Sequence, residues 1–291
     1  MLLKQKINTL KSRAKIISAI RSFFESENFV EVETPLRTTA PLPEQNIDAV
    51  KCSDYYLATS PEPYMKRLVA GGMDKIFQIT KCFRSGEKGK NHNVEFTMLE
   101  WYRKDADYFN LIDDAKKLLN YVCDKTKTDR IFSNWKILSL DDLWKDFTGK
   151  KLEDIPDAFD FDKTMVDKIE PGLNENHPII ITDFPAIFSP MCKTKNDDPY
   201  RAERLEIYFK NIELGNGCTE QIDKKIQIKR LLNEQIERRN MGKDVYPWPA
   251  EFVDSLDHMP PTAGMAIGID RLVMILCDKE KIEDVITFTE K

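Results

Sequence analysis

Residues 95–102 read EFTMLEWY, an apolar run with Glu100 near its centre. A β-strand of this composition is at least half buried, and a carboxylate inside it is expensive to desolvate unless something pairs with it. Strand alternation puts Phe96, Met98, Glu100 and Tyr102 on one face and Thr97, Leu99 and Trp101 on the other. The first set is a poor core but a sensible binding floor; the alternative is an edge strand with Glu100 in water. The preceding run, KIFQITKCFRS at 75–85, has the same character, with Gln78, Thr80, Cys82 and Arg84 on one face and Phe77, Ile79 and Phe83 on the other. The loop between the two runs carries Lys88, Lys90 and His92. Two antiparallel strands with polar faces and a basic loop suit a polyanion such as a triphosphate.

Working outward, Leu10, Ala14, Ile17, Ile20 and Phe24 recur at helical spacing and predict an amphipathic helix over 8–27, ended by Asn28. FVEVET alternates as a strand up to Pro35. TTAPLPEQN reads as a loop, YYLATS as a short strand, and PEPYMKRLVAGG as a helix with proline near its start and glycines at its end. A helix is expected over 109–123 and a buried strand within HPIIITDFP. Residues 200–210 begin as helix or loop and run on as a strand through NIELGNGCTE. A long charged helix ends at Gly242, GMAIGID reads as a strand, and RLVMILC opens the next helix. Residues 125–178 give mixed signals. Short helices among antiparallel strand pairs indicate an α+β fold, an antiparallel sheet of six or seven strands flanked by helices. Neither G-x-G-x-x-G after a strand nor G-x-x-x-x-G-K-[ST] occurs, which removes the two commonest nucleotide folds.

With 291 residues the chain can bury a large core as one domain, 1–291. Its net charge of −5 does not suit a general nucleic-acid binder. Six scattered cysteines without a C-x-x-C pair, and only three histidines, argue against a disulfide framework and a structural zinc site; reduced thiols in the cytoplasm are expected. The N-terminus lacks the apolar core of a secretory signal, and no run approaches the ~18 apolar residues of a membrane span.

FRSGE followed by HNVEFTMLEWY resembles motif 2 of the class II aminoacyl-tRNA synthetases; NFVEVETP resembles their motif 1 and GMAIGIDRLVMIL their motif 3, in the required order. TSPEPYMKRLV, IELGNGCTE and PPTAGMAIGIDR are similar to the lysine branch, and more to the tRNA-independent ligases that attach (R)-β-lysine to elongation factor P than to the lysine–tRNA ligases. The resemblance implies that ATP activates (R)-β-lysine, or lysine, as an adenylate for transfer to a lysine side chain of elongation factor P. It implies that Arg84 holds the α-phosphate and Arg271 the γ-phosphate end, Phe96 stacks under adenine, and Glu87, His92, Asn93, Glu213, Leu214 and Gly268 complete the nucleotide site. Glu206 and Glu213 would hold Mg2+, whose preference is for hard oxygen ligands. Glu100, Tyr102 and Glu220 would surround the side-chain ammonium of the substrate, Glu62 with Ser60 would meet its other amine, and Asn216 its carboxylate. Several buried carboxylates favour a diamine and repel aspartate. The motif 1 helix and strand imply a homodimer.

Three departures matter. Lysine–tRNA ligases carry an N-terminal OB-fold that reads the anticodon; none is expected here, so tRNA is not the expected acceptor. Ala266 stands where lysine–tRNA ligases have glycine and the β-lysine ligases alanine, whereas Gly215 and TAG at 262–264 look more like the tRNA ligases. The family's F-R-x-E has Gly86 at its glutamate position; either Glu87 takes over through a shifted loop or the nucleotide contact is weakened. The alternatives are a lysine–tRNA-ligase-like enzyme with another acceptor, and an idle paralogue that binds lysine or adenylate.

Overall fold

The computed structural model describes residues 2–129 and 132–289. In chain order it contains α1 (Leu2–Ser26), β1 (Val30–Glu31), β2 (Arg37–Thr38), β3 (Lys51–Cys52), β4 (Tyr55–Leu57), α2 (Glu62–Ala70), β5 (Lys75–Phe83), β6 (Glu95–Lys104) and α3 (Tyr108–Thr126). There follow β7 (Lys136–Ser139), α4 (Leu140–Thr148), α5 (Ala158–Thr164), α6 (Glu170–Gly172), β8 (Ile179–Thr182), β9 (Arg204–Phe209), β10 (Ile212–Thr219), α7 (Lys224–Asn240), α8 (Ala250–Ser255), β11 (Thr262–Gly268) and α9 (Ile269–Leu276).

The main sheet has eight strands in the order β1-β5-β6-β11-β10-β9-β8-β7. Its six central strands are antiparallel, as expected for α+β, but the pairs at both edges, β1 with β5 and β7 with β8, are parallel. β2, β4 and β3 form a separate small sheet. FVEVET contributes only two residues to the ladder, because the chain turns away before Pro35. The run from 200 to 220 is two strands, not one. Lys210 and Asn211, with φ of 49° and 55°, make the two-residue turn between β9 and β10, and positive φ at both central positions is what a type I′ hairpin requires.

One face of the sheet is the main core. Phe77, Leu99, Trp101, Leu205, Ile207, Met265 and Ile267 pack there against α1, α3 and α9. α1 presents Ile16, Ala19, Ile20, Phe23 and Phe24; the expected stripe is rotated, and Ala14 is exposed. Asn28 ends this helix with φ of 62°, a left-handed conformation that asparagine tolerates. Asp107 caps α3 through a reciprocal box with Asn110.

The other face carries the polar residues and is walled at two sides. Most of the segment that sequence alone left unread forms one wall: Trp144, Phe161, Met165 and Ile169 pack with Ile179, Ile181 and Tyr208. Residues 130 and 131 lie outside the described residues. The second wall is Leu42 from the loop before β3, Met191 from the loop between β8 and β9, Leu231 from α7, and Phe252, Val253 and Leu256 from α8 and the turn after it. The floor between them is the candidate site.

Candidate active site

A cavity of about 620 Å³ stands on this floor. Strand register decides what lies side by side. Gln78 pairs with Glu100, Glu100 with Ala266, Ala266 with Asn216, and Asn216 with Glu206, one row of side chains across five strands. The next row runs from Ile76 through Tyr102, Gly264 and Cys218 to Arg204. Gly264 is required: a Cβ there would lie 2.2 Å from the Tyr102 ring and 2.5 Å from Glu220 Oε1. A register shift between Glu213 and Gly215 re-aims β10, so that Glu213 lines the same cavity as Asn216 although they are an odd three positions apart. Glu206 and Glu213 are therefore on adjacent strands rather than on one. Leu214, at the shift, sends its side chain into the core, so only its backbone is available to a nucleotide.

At the amino-acid end, Glu100 is 2% exposed. Ser60 Oγ donates to its Oε1 at 2.6 Å and Tyr102 Oη to its Oε2 at 2.9 Å, so among the described residues it receives neutral donors and no ion pair. Sequence reasoning grouped Glu220 with Glu100, and Ser60 with Glu62. The structure partitions them differently, because it supplies a cation that reasoning missed. Lys66, 1% exposed, reaches Glu62 Oε1 and Glu220 Oε2, each at 2.5 Å. Burial opposes its charge, but Glu220 and Glu62 outweigh burial and hold the ammonium protonated. Glu62 and Lys66 are one turn apart at the start of α2, an i,i+4 signal visible in EPYMK. What the sequence could not show is that Glu220 completes the bridge.

Burial, then repulsion from Glu62, pushes the Glu100 carboxyl up to about 8 against the Ser60 and Tyr102 donors. Its raised value has two consequences of opposite sign. Between the ordinary 4.5 and about 8 the folded chain holds a proton that the unfolded chain has released, so the Glu100 contribution to stability falls as pH rises through that window. An ammonium ligand prefers the ionised carboxylate, so its affinity rises over the same range, by up to ~10-fold per pH unit. Thermal melts with and without lysine across this window should therefore diverge as pH rises, and Glu100→Gln should make the two curves parallel.

At the nucleotide end, Arg84 lies 5.3 Å from the Phe96 ring centroid and its Nη1 is 3.8 Å from Glu87 Oε1. Gly86 has φ of +80°, the left-handed turn that carries Glu87 into the cavity wall beside Arg84. Glu87 thus lines the cavity next to Arg84, one position after the expected glutamate. Arg271 donates through Nη1 to the Glu213 carbonyl and to Glu213 Oε2, at 2.6 and 3.1 Å. Its Nη2 is 2.6 Å from His92 Nε2. Burial and then Arg271 lower the His92 pKa, so a neutral ring accepts this hydrogen bond. Asn93 lines the cavity while its amide donates to the Glu95 carbonyl, and Gly268 offers its backbone at the start of α9.

Glu206 is saturated. Its Oε1 accepts from Arg204 at 2.6 Å and Asn216 at 3.2 Å, and its Oε2 from Tyr208 at 2.7 Å. Glu213 Oε1 accepts no hydrogen bond among the described residues. No group of three or more His, Cys, Asp or Glu suited to a metal occurs among them. A magnesium ion that keeps phosphate and water ligands needs only one or two carboxylates, and Glu213 fits that role as it stands. Glu206 would have to give up a donor to join it.

A floor of antiparallel strands lined by Arg84, Arg271 and the Glu62, Glu100 and Glu220 carboxyl groups brings together the residues that the resemblance to class II synthetases singled out. The family described as tRNA synthetases class II (D, K and N) matches residues 2–291, and the chain belongs to it; it is an ATP-dependent ligase. It is 34% identical to the elongation factor P–(R)-β-lysine ligase of Yersinia enterocolitica over 97% of the chain and 95% of that protein. It is 35% identical to the protein of the same name from Pectobacterium carotovorum, with the same coverage of each. It is also 34% identical to the lysine–tRNA ligase of Wigglesworthia glossinidia brevipalpis, over 98% of the chain but 65% of that protein.

Proposed function

We propose that this enzyme activates (R)-β-lysine, or lysine, with ATP and transfers it to a lysine side chain of elongation factor P. The observation that carries the reading is Glu100, a buried carboxyl group that makes no ion pair with the described chain and lines the same cavity as Arg84 and Arg271. It is a receptor for an ammonium group. Aspartate or asparagine brings no side-chain ammonium to meet it, and the aspartate carboxylate would be repelled by it. The Ala266 methyl, in register between Glu100 and Asn216, narrows the floor.

Activation begins when the substrate carboxylate, held near Asn216, attacks the α-phosphorus. Arg84 stabilises the charge that develops there, and Arg271 holds the departing pyrophosphate end; both are guanidinium groups that stay charged and present a planar fork to phosphate oxygens. No general base is needed, because the attacking carboxylate is already ionised. Magnesium bound through Glu213 would offset phosphate charge. In the second step the acceptor amine attacks the adenylate carbonyl and AMP leaves.

Incubation with ATP, (R)-β-lysine and elongation factor P should add the mass of one lysyl group to the acceptor, located by peptide mass spectrometry on a lysine. Charging of tRNA instead would favour the tRNA-ligase-like reading. We further infer a homodimer formed through motif 1, where Val30 and Leu36 are 53% and 44% exposed. Light scattering at micromolar concentration should give twice the chain mass, and a monomer would refute this interface. The six free cysteines fit a cytoplasmic location, and among the described residues no helix is long and apolar enough to cross a membrane.

A further inference from the structure

We propose that Glu44 is a further specificity-determining residue, a carboxylate that binds the backbone amine of a diamine amino acid beside Glu62. This rests on the reading of the cavity as a diamine site. Glu44 lies in the loop before β3 and lines the cavity together with Ser60, Glu62 and Arg84. Its backbone is firmly held. Arg238, 1% exposed, donates to the carbonyls of Glu44 and Ile47 at 2.8 and 3.0 Å. Gln45 N–H donates to Glu234 Oε2 at 2.8 Å, and Lys243 donates to the Gln45 carbonyl at 2.9 Å. The loop is thus secured without the Glu44 side chain. Among the described residues that carboxylate accepts no hydrogen bond and makes no ion pair.

Its surroundings say what it waits for. The charged groups facing it are Glu62, Arg84, Glu234 and Lys66. Burial, and then Glu62, raise its carboxyl to about 7, so the folded protein places it where a second carboxylate is unwelcome. Lys66 already holds one oxygen of Glu62 and one of Glu220, and Ser60 spends its proton on Glu100. The amine that Glu62 and Ser60 were expected to receive therefore meets a half-neutralised pair. Glu44 supplies the missing negative charge. With Glu100 taking the side-chain ammonium, each amine of the substrate has a carboxylate that Lys66 does not occupy.

The test is Glu44→Gln, read by pyrophosphate exchange with lysine and (R)-β-lysine, with 6-aminohexanoate as inhibitor. That inhibitor keeps the side-chain ammonium and carboxylate and lacks the backbone amine. Loss of a charged hydrogen bond predicts that KM for the active diamine rises by about 10–100-fold. The kcat, the KM for ATP and the inhibition constant of 6-aminohexanoate should stay within about twofold. Glu44→Asp, which keeps the charge on a shorter arm, should fall between wild type and Glu44→Gln. An unchanged diamine KM, or an equal loss of diamine and 6-aminohexanoate binding, would overturn the proposal. If wild-type enzyme exchanges with neither diamine, the proposed function fails instead, so the two failures are distinct.

Discussion

Replacing Arg84 by alanine should lower pyrophosphate exchange by about 100–1,000-fold, the effect of removing one preorganised donor from a transition state that develops charge at that point. The loss should fall on kcat as well as on the KM for ATP. Arg84→Lys should recover little, because an ammonium cannot present two parallel donors to a phosphate. Stability is the control. The Arg84 side chain is 25% exposed and, besides its 5.3 Å approach to the Phe96 ring, its contacts are a long ion pair to Glu87 and a 3.4 Å hydrogen bond to the Thr59 carbonyl, so the melting temperature should move little. Exchange within about threefold of wild type would remove Arg84 from the chemistry.

Lys66→Met should act in the opposite way, on stability first. The ammonium is buried between two carboxylates, and removing one partner of a buried ion pair costs about 3–5 kcal/mol. Glu220, which burial already pushes up to about 7, can escape part of that cost by taking up a proton. The deficit should accordingly be greater on the alkaline side of neutrality than on the acid side, the sign expected when the folded state binds protons that the unfolded chain has lost. Adding Glu220→Gln should restore part of the loss, since the two changes remove one interaction and are not additive. A Lys66→Met variant whose stability stays within about 0.5 kcal/mol of wild type at every pH, a difference that ordinary surface substitutions produce, would contradict the bridge.

These two residues also mark how far the sequence can be read. Arg84 was legible because a period-two pattern in 75–85 and 95–102 shows which side chains share a face; both strands form, but the first ends at Phe83 and Arg84 stands just beyond it. Glu100 was legible for the same reason: a carboxylate among apolar neighbours demands a partner. The row that sets Glu100, Ala266, Asn216 and Glu206 side by side was not, because register depends on pairing between strands far apart in the chain. Nor was the shift at Leu214, which moves Glu213 onto the site face and leaves its neighbour in the core. Lys66 carried a local signal, yet a lysine at i+4 from a glutamate is usually a solvated surface pair; only its burial against Glu220 makes it part of the site. Residues 125–178 resisted reading because their helices are short and charged, and they acquire an apolar partner only when β8 and β9 place Ile179, Ile181 and Tyr208 beneath them.

The most direct test is pyrophosphate exchange by purified enzyme with (R)-β-lysine, α-lysine and aspartate in parallel. Exchange with (R)-β-lysine well above α-lysine, and none with aspartate, is the predicted result, and it would also show that Gly86 is tolerated where the family pattern has glutamate. Exchange favouring α-lysine would move the enzyme toward the lysine–tRNA ligases with a different acceptor. No exchange with either diamine, while ATP and lysine still bind, would contradict the adenylate-forming function and leave an adenylate-binding paralogue in its place.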